Sequence, residues 1–149
     1  MKYEIIKQQL ESLGGKDSDK TGLLAGVTQI VNRGQPEWEG RDLVIRLLDK
    51  FAFLDEIEQS LLLSLVRTVG LFPYITEHVE QVSDADRLAY EIHRGKGVEK
   101  GLVFHRLQAN VFHLLMQGRN VVLSASTSVG KSLVIDAVLA QGKFRKVVV

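Results

Sequence analysis

The sequence predicts a mostly α-helical chain, in which a multi-helix domain over residues 1–100 precedes the incomplete start of an α/β domain over residues 101–149. Three observations lead to this prediction. Apolar residues recur at helical spacing through the first hundred positions. A segment rich in glycine and charge, residues 95–101, then interrupts the pattern. Beyond it, a β-branched run enters a loop that contains serine and glycine, and a helical stretch follows.

The first two helices are predicted from apolar spacing and from the signals at their ends. One helix presents a face made of Ile5, Ile6, Leu10 and Leu13, and two glycines at 14–15 end it. Asp19 is placed to cap a second helix. That helix continues to Gly34 with apolar positions at Leu23, Leu24, Val27, Ile30 and Val31. Residues 34–40, which include Pro36, are predicted as a loop.

The next helices follow the same logic. A third apolar stripe consists of Leu43, Val44, Leu47, Leu48 and Phe51. Asp55 and Glu58 have the spacing of a capping box, which predicts the start of a fourth helix. Its apolar face consists of Leu61, Leu62, Leu65, Val66 and Val69. The apolar run that ends in Asp55 also imitates a metal-binding strand end, but its place inside a helical pattern favours the capping interpretation. Two weaker helices are expected over 74–82 and 84–94.

Composition is that of an ordinary globular domain, with 45% hydrophobic and 25% charged residues. The net charge of +1 gives no sign of a nucleic-acid-binding polycation, so any basic surface must be local. The sequence contains no cysteine, which excludes disulfides and is compatible with a cytoplasmic location. No apolar stretch reaches membrane-spanning length and no signal-peptide core is present, so we expect no membrane partner.

After residue 101 the predicted order is helix, strand, loop, helix and strand. The helices cover 105–116 and 133–140, and the strands are placed at 120–123 and 146–149. The loop between them reads Ala-Ser-Thr-Ser-Val-Gly-Lys-Ser, which matches the phosphate-binding pattern known as the P-loop or Walker A motif. The predicted phosphate-binding residues are Ala125, Ser126, Thr127, Ser128, Val129, Gly130, Lys131 and Ser132.

The chemistry of this loop follows from its backbone and from three side-chain positions. Backbone N–H groups would surround the β-phosphate, and the following helix would add its positive dipole end. A side chain at Gly130 would obstruct either the turn or the close approach of phosphate, and Lys131 would bridge the β- and γ-phosphates. The Ser132 hydroxyl would bind the Mg²⁺ that accompanies them. The alternative is a helix-capping loop whose serine and threonine side chains satisfy backbone donors.

Residues 104–149 resemble the opening of the first RecA-like domain of superfamily 2 helicases, the DEAD/DEAH-box and Ski-like group. The resemblance depends on Thr127 within the loop, on Gln108 ahead of a helix that ends in Gly118-Arg119-Asn120, and on the apolar end 146–149. It implies that the Gln108 carboxamide, a donor and an acceptor together, recognises adenine, so that the cofactor is ATP with Mg²⁺. The alternative for Gln108 is an exposed residue at a helix N-terminus.

The resemblance further implies an ATP-dependent helicase or translocase that acts on DNA or RNA in a longer protein. The chain alone is not expected to hydrolyse ATP, because the acidic strand that positions Mg²⁺ would follow later. Two alternatives stay open: a helical interaction or adaptor module attached to a P-loop ATPase of another class, in signalling or defence, and a helical domain that docks a protein partner. No catalytic residue is predicted, and the histidines lack the spacing of a metal site: His78, His93, His105 and His113.

Overall fold

The computed structural model describes residues 2–13, 19–95, 102–125 and 129–146. In these ranges the chain forms seven α-helices and two 3-10 helices, and no β-strand is present. The helices are α1 (Lys2–Glu11), α2 (Lys20–Arg33), α3 (Glu37–Leu48), α4 (Glu56–Thr68), α5 (Asp84–His93), α6 (Arg106–Met116) and α7 (Lys131–Ala140). The 3-10 helices are Phe51–Phe53 and Phe72–His78.

The predicted start of a RecA-like α/β domain was wrong. The segment 120–123, predicted as a strand, has no regular secondary structure. A strand is held by hydrogen bonds to a neighbouring strand. The β-bridge found in the described ranges is an isolated pair elsewhere, Arg94 with Val103. Val122 is 99% exposed, so burial does not support a strand there either. Residues 147–149 of the second predicted strand lie outside the described residues.

The apolar residues that the structure describes form two cores. The first extends from α1 to Val103, and its most deeply buried members are Val27, Leu43, Val44, Leu47, Leu62, Val66 and Ile75. The second lies between α6 and α7 and consists of Phe104, Ala109, Val111, Phe112, Val134, Ala137 and Val138. The proposed division of the chain near residue 100 stays a prediction.

The helix-end signals at Asp19, Gly34 and Asp55 are confirmed, whereas the glycines at 14–15 lie outside the described residues. Asp19 accepts a hydrogen bond from the Gly22 N–H at 2.8 Å, and the N–H of Gly34 closes α2 on the Val31 carbonyl at 3.1 Å. Asp55 accepts from the Glu58 N–H at 2.9 Å, and Glu58 accepts from the Asp55 N–H at 3.0 Å. The acidic pair therefore caps α4, as the capping interpretation predicted.

The start of α3 and one face of α1 differ from the prediction. Residues 37–40 form the first turn of α3 instead of a loop, because acidic side chains such as Glu37 and Glu39 favour a helix N-terminus. Ile5 is 53% exposed, and Tyr3 takes the core position. The Tyr3 hydroxyl donates to Asp42 at 2.7 Å. This polar contact between α1 and α3 helps to orient α1, and the spacing of apolar residues could not predict it.

Arg106, the first residue of α6, connects the two cores. Its backbone N–H donates to the Gly70 carbonyl at 3.3 Å. Its Nη2 donates to the carbonyls of Arg67 at 3.0 Å and Thr68 at 2.8 Å, which are end carbonyls of α4. Carbonyls at a helix C-terminus have no partner within the helix, so this guanidinium satisfies them. The contact holds the N-terminus of α6 against the end of α4.

Candidate functional site

The candidate site lies where the first turn of α6 meets the segment that leads into α7. Gln108 belongs to that first turn, and Val129 and Gly130 approach it from the other side. Lys131 follows as the first residue of α7 and contacts Ala125. Ser132 follows as the second residue of α7 and is exposed. The remaining predicted phosphate ligands, Ser126, Thr127 and Ser128, lie outside the described residues.

Gln108 links the two segments through its carboxamide. Its Oε1 accepts from the His105 N–H at 2.9 Å, and its Nε2 donates to the Val129 carbonyl at 2.9 Å. The residue is only 5% exposed, so the alternative of an exposed helix-end residue was wrong. One donor and one acceptor position of the amide are thus used within the protein. The role of Gln108 in recognising adenine stays a prediction.

Gly130 has two structural reasons to be glycine. Its backbone is left-handed, with φ of 71° and ψ of 43°, and it stands at the N-cap of α7. A residue with a Cβ rarely adopts this conformation. A Cβ at this position would also lie 2.7 Å from the Nε2 atom of Gln108. The close approach that requires a glycine here is therefore that of the Gln108 side chain, which sequence reasoning had assigned to a phosphate.

Lys131 directs its ammonium group back onto the loop. Its Nζ donates to the Ala125 carbonyl at 2.7 Å, and the side chain is half-buried. The first backbone N–H groups of α7 lie next to it, at the positive end of the helix dipole. Together with the hydroxyl of Ser132, this arrangement offers the donors and the positive charge that a phosphate group needs.

The surroundings of the site are partly desolvated. His105, the N-cap residue of α6, is half-buried, and burial holds its pKa below the ordinary value. The positive charge of Arg41 lowers that pKa further. Within the part of the chain that the structure covers, no group of three or more potential metal-ligating side chains is found. A Mg²⁺ ion at Ser132 would therefore depend on the phosphates that accompany it.

Comparison with known proteins identifies the N-terminal region. Residues 1–87 match the family described as the anti-bacteriophage protein B N-terminal domain. This chain belongs to that family. It is also 36% identical over 145 residues to anti-bacteriophage protein B of Escherichia coli (strain K12). The match covers 97% of the chain and 20% of the relative, so the chain spans about a fifth of that protein's length. No solved structure matches.

The family membership corrects the resemblance to DEAD/DEAH-box helicases, which was wrong. The matched family is defence-related. The described residues contain no strand to precede a phosphate loop, so the helicase, P-loop and Walker A interpretations are unsupported. An eight-residue pattern defines a phosphate loop only together with a strand before it and a helix after it, and here only the helix is present.

Sequence reasoning missed the family because its signal is spread over residues 1–87. That region carries helix caps and apolar stripes, which describe any helical domain, and no compact constellation of reactive side chains marks it. In the described ranges no helix combines the length and the apolar character that crossing a membrane would require.

Proposed function

We propose that this chain is the N-terminal helical part of a bacteriophage-defence protein, and that the start of α7 binds the phosphates of ATP with Mg²⁺. The proposal combines a helical module with a nucleotide-binding segment. Its defence component is supported by the matched family and by the relative from Escherichia coli. Because phage replicate inside the bacterial cell, the proposal includes a cytoplasmic location. DNA or RNA as a further partner stays a prediction.

The single observation that carries the nucleotide component is the arrangement of Gly130 and Lys131 at the N-terminus of α7. Gly130 turns the backbone in a left-handed conformation immediately before the helix. Lys131 holds its ammonium 2.7 Å from the Ala125 carbonyl, within the loop that the phosphates would enter. A phosphate is a better partner for this ammonium than a neutral carbonyl, because two opposite charges attract each other in addition to forming the hydrogen bond.

Gln108 stabilises the arrangement of Gly130 and Lys131 through a contact with the preceding residue. Its hydrogen bond to the Val129 carbonyl holds the residue that precedes the left-handed turn. A binding segment that is already held in place loses less conformational entropy when the ligand arrives. Gln108 thus positions the turn at Val129 and Gly130, and this role does not depend on any contact with adenine.

The experiment is calorimetric titration of the whole chain with ATP and Mg²⁺. Lys131→Ala is expected to weaken binding at least about tenfold, since a hydrogen bond to a charged group contributes about 1.5–3 kcal/mol. Lys20→Ala is the matched control. Its Nζ also donates to a main-chain carbonyl, that of Phe53 at 2.6 Å, away from α7. No detectable ATP binding, or equal losses in the two variants, would exclude the nucleotide component.

The defence component needs the full-length protein in cells. Bacteria that express it should form fewer phage plaques than cells without it. Lys131→Ala should restore plaque numbers, whereas Lys20→Ala should not. Protection that persists in the Lys131→Ala variant would separate defence from phosphate binding at α7. A full-length protein that gives no protection at all would contradict the defence role itself.

A further inference from the structure

A second group of positively charged residues lies elsewhere in the fold, away from α7. A cavity of about 200 Å³ opens at the corner of α2 and α3, next to the junction between α4 and α6. Its lining includes Arg41 and Arg106, together with Thr68, Gly34 and Glu37. Two arginines from distant parts of the chain therefore line one small cavity.

Neither arginine pairs with a carboxylate of the described residues. Among the residues that the structure describes, the ion-paired arginines are Arg33, Arg46, Arg67, Arg87 and Arg94. Arg41 and Arg106 form no ion pair in that part of the chain. The contacts of Arg106 with the end of α4 involve neutral carbonyls, so they fix its guanidinium and leave its charge uncompensated.

The N-terminus of α3 adds to the positive potential. Pro36 is its N-cap residue and offers no side-chain oxygen to the first-turn N–H groups, although its carbonyl accepts from the Glu39 N–H at 3.2 Å. Glu39 is engaged with Arg33. Glu37 is the carboxylate in the cavity lining, and it is exposed at the rim. Two arginines and a helix N-terminus thus outweigh one carboxylate.

We propose that this cavity binds a phosphate-sized oxyanion, with Arg41 and Arg106 as its cationic ligands. Guanidinium groups present several donors in a planar fork that fits phosphate oxygens. The volume of about 200 Å³ is smaller than the 300–1,000 Å³ of pockets for drug-sized ligands. The cavity therefore suits a phosphate group, free or at the end of a small monoester, better than it would enclose a whole nucleotide. It is distinct from the ATP site proposed at α7.

His105 provides a reporter inside the protein. The charge of Arg41 contributes to the low pKa of this histidine. An anion bound at Arg41 would offset that charge, and the pKa of His105 would rise. Proton resonances of the imidazole, followed against pH with and without phosphate, would show this rise. The titration is followed in the Lys131→Ala background, because an anion at Lys131 would lie close enough to His105 to affect its pKa as well.

The decisive experiment is titration of the whole chain with inorganic phosphate at constant ionic strength, followed by calorimetry. Saturable binding of one phosphate is expected in the Lys131→Ala background, which removes the site at α7. Arg41→Gln should weaken this binding about tenfold, equivalent to about 1.4 kcal/mol. Arg119→Gln is the matched control, because Arg119 is exposed, forms no ion pair within the described ranges and does not line the cavity.

A second variant acts in the opposite direction. Glu37→Gln removes the carboxylate that repels the anion, so it should strengthen phosphate binding several-fold. If Arg41→Gln fails to fold, the effect of Glu37→Gln tests the proposal instead. Competition by phenyl phosphate would show that a monoester can reach the cavity, and its failure to compete would identify free phosphate as the ligand. Absence of saturable binding, equal effects of Arg41→Gln and Arg119→Gln, or no gain with Glu37→Gln would overturn the proposal.

Discussion

Replacing Gly130 with alanine tests whether Gln108 presses against the turn before α7. Gly142 is the internal comparison, because it also has a left-handed backbone, with φ of 61°, and nothing lies within 4 Å of a Cβ built there. At Gly130, φ is 71° and the added Cβ would lie 2.7 Å from Gln108 Nε2. The two glycines therefore share the backbone requirement and differ in the contact.

The expected magnitudes follow from this difference. A left-handed alanine costs about 1–2 kcal/mol, and this is the whole expected cost at Gly142. At Gly130 the amide of Gln108 must also move, which breaks its hydrogen bond to the Val129 carbonyl. A buried polar group without a partner costs about 1–3 kcal/mol. Gly130→Ala should therefore lower the free energy of unfolding by about 2–5 kcal/mol, summing the two terms.

The assay is urea unfolding followed by far-ultraviolet circular dichroism, with a common slope for all variants. Gln108→Ala removes the obstructing side chain. In that background Gly130→Ala should cost only about 1–2 kcal/mol, as at Gly142, which gives a coupling energy of about 1–3 kcal/mol. Equal costs at Gly130 and Gly142, or a cost at Gly130 that does not change without Gln108, would refute this account of the turn.

Two further predictions concern the first core. Asp55→Ala removes the capping box of α4, so the free energy of unfolding should fall by about 1 kcal/mol and the Tm by about 2–4 °C. As a control, Asp49→Ala at an exposed position should change the free energy of unfolding by less than about 0.5 kcal/mol. Equal changes in the two variants would contradict the capping role. Burial lowers the pKa of His93, whose ring stacks on that of Phe72 with 3.6 Å between the ring centroids. The unfolded chain therefore binds more protons below about pH 6.5, and stability should fall from pH 7 to pH 5. His93→Phe should reduce this fall in urea midpoints, and an identical fall in both proteins would contradict it.

Most helices of the first core could be predicted because their signals are local, but the helix expected over 74–82 is a 3-10 helix at Phe72–His78. The cap at Asp19, the capping box at Asp55 and the left-handed glycine at Gly34 each involve residues within four positions of one another. Leu23, Leu24 and Val27 are buried as their spacing predicted. Ile5 and Leu61 were predicted to lie in the core but are exposed. Apolar spacing does not decide whether a residue at the edge of a helix face is buried.

The site was predicted less well, for a physical reason. Residues 120–123 have the composition of a strand, yet a strand forms only beside a neighbouring one. The sequence pattern predicted that Gln108 and Gly130 belong to one site, and in the structure the two residues lie next to each other. The sequence pattern did not indicate that Gln108 would be buried with its amide bonded to the Val129 carbonyl. That bond joins residues 21 positions apart and depends on how α6 packs against α7.

Local sequence signals were enough to place the starts of α2 and α4, the end of α2 and most of the apolar residues assigned to the first core. These properties depend on backbone preferences and on side chains a few residues apart. Tertiary structure alone decided that Arg41 and Arg106 share a cavity, that Arg106 satisfies the carbonyls of α4, and that Gln108 holds the turn at Gly130. Each of these contacts joins helices far apart in the chain, so its geometry exists only after the cores have packed.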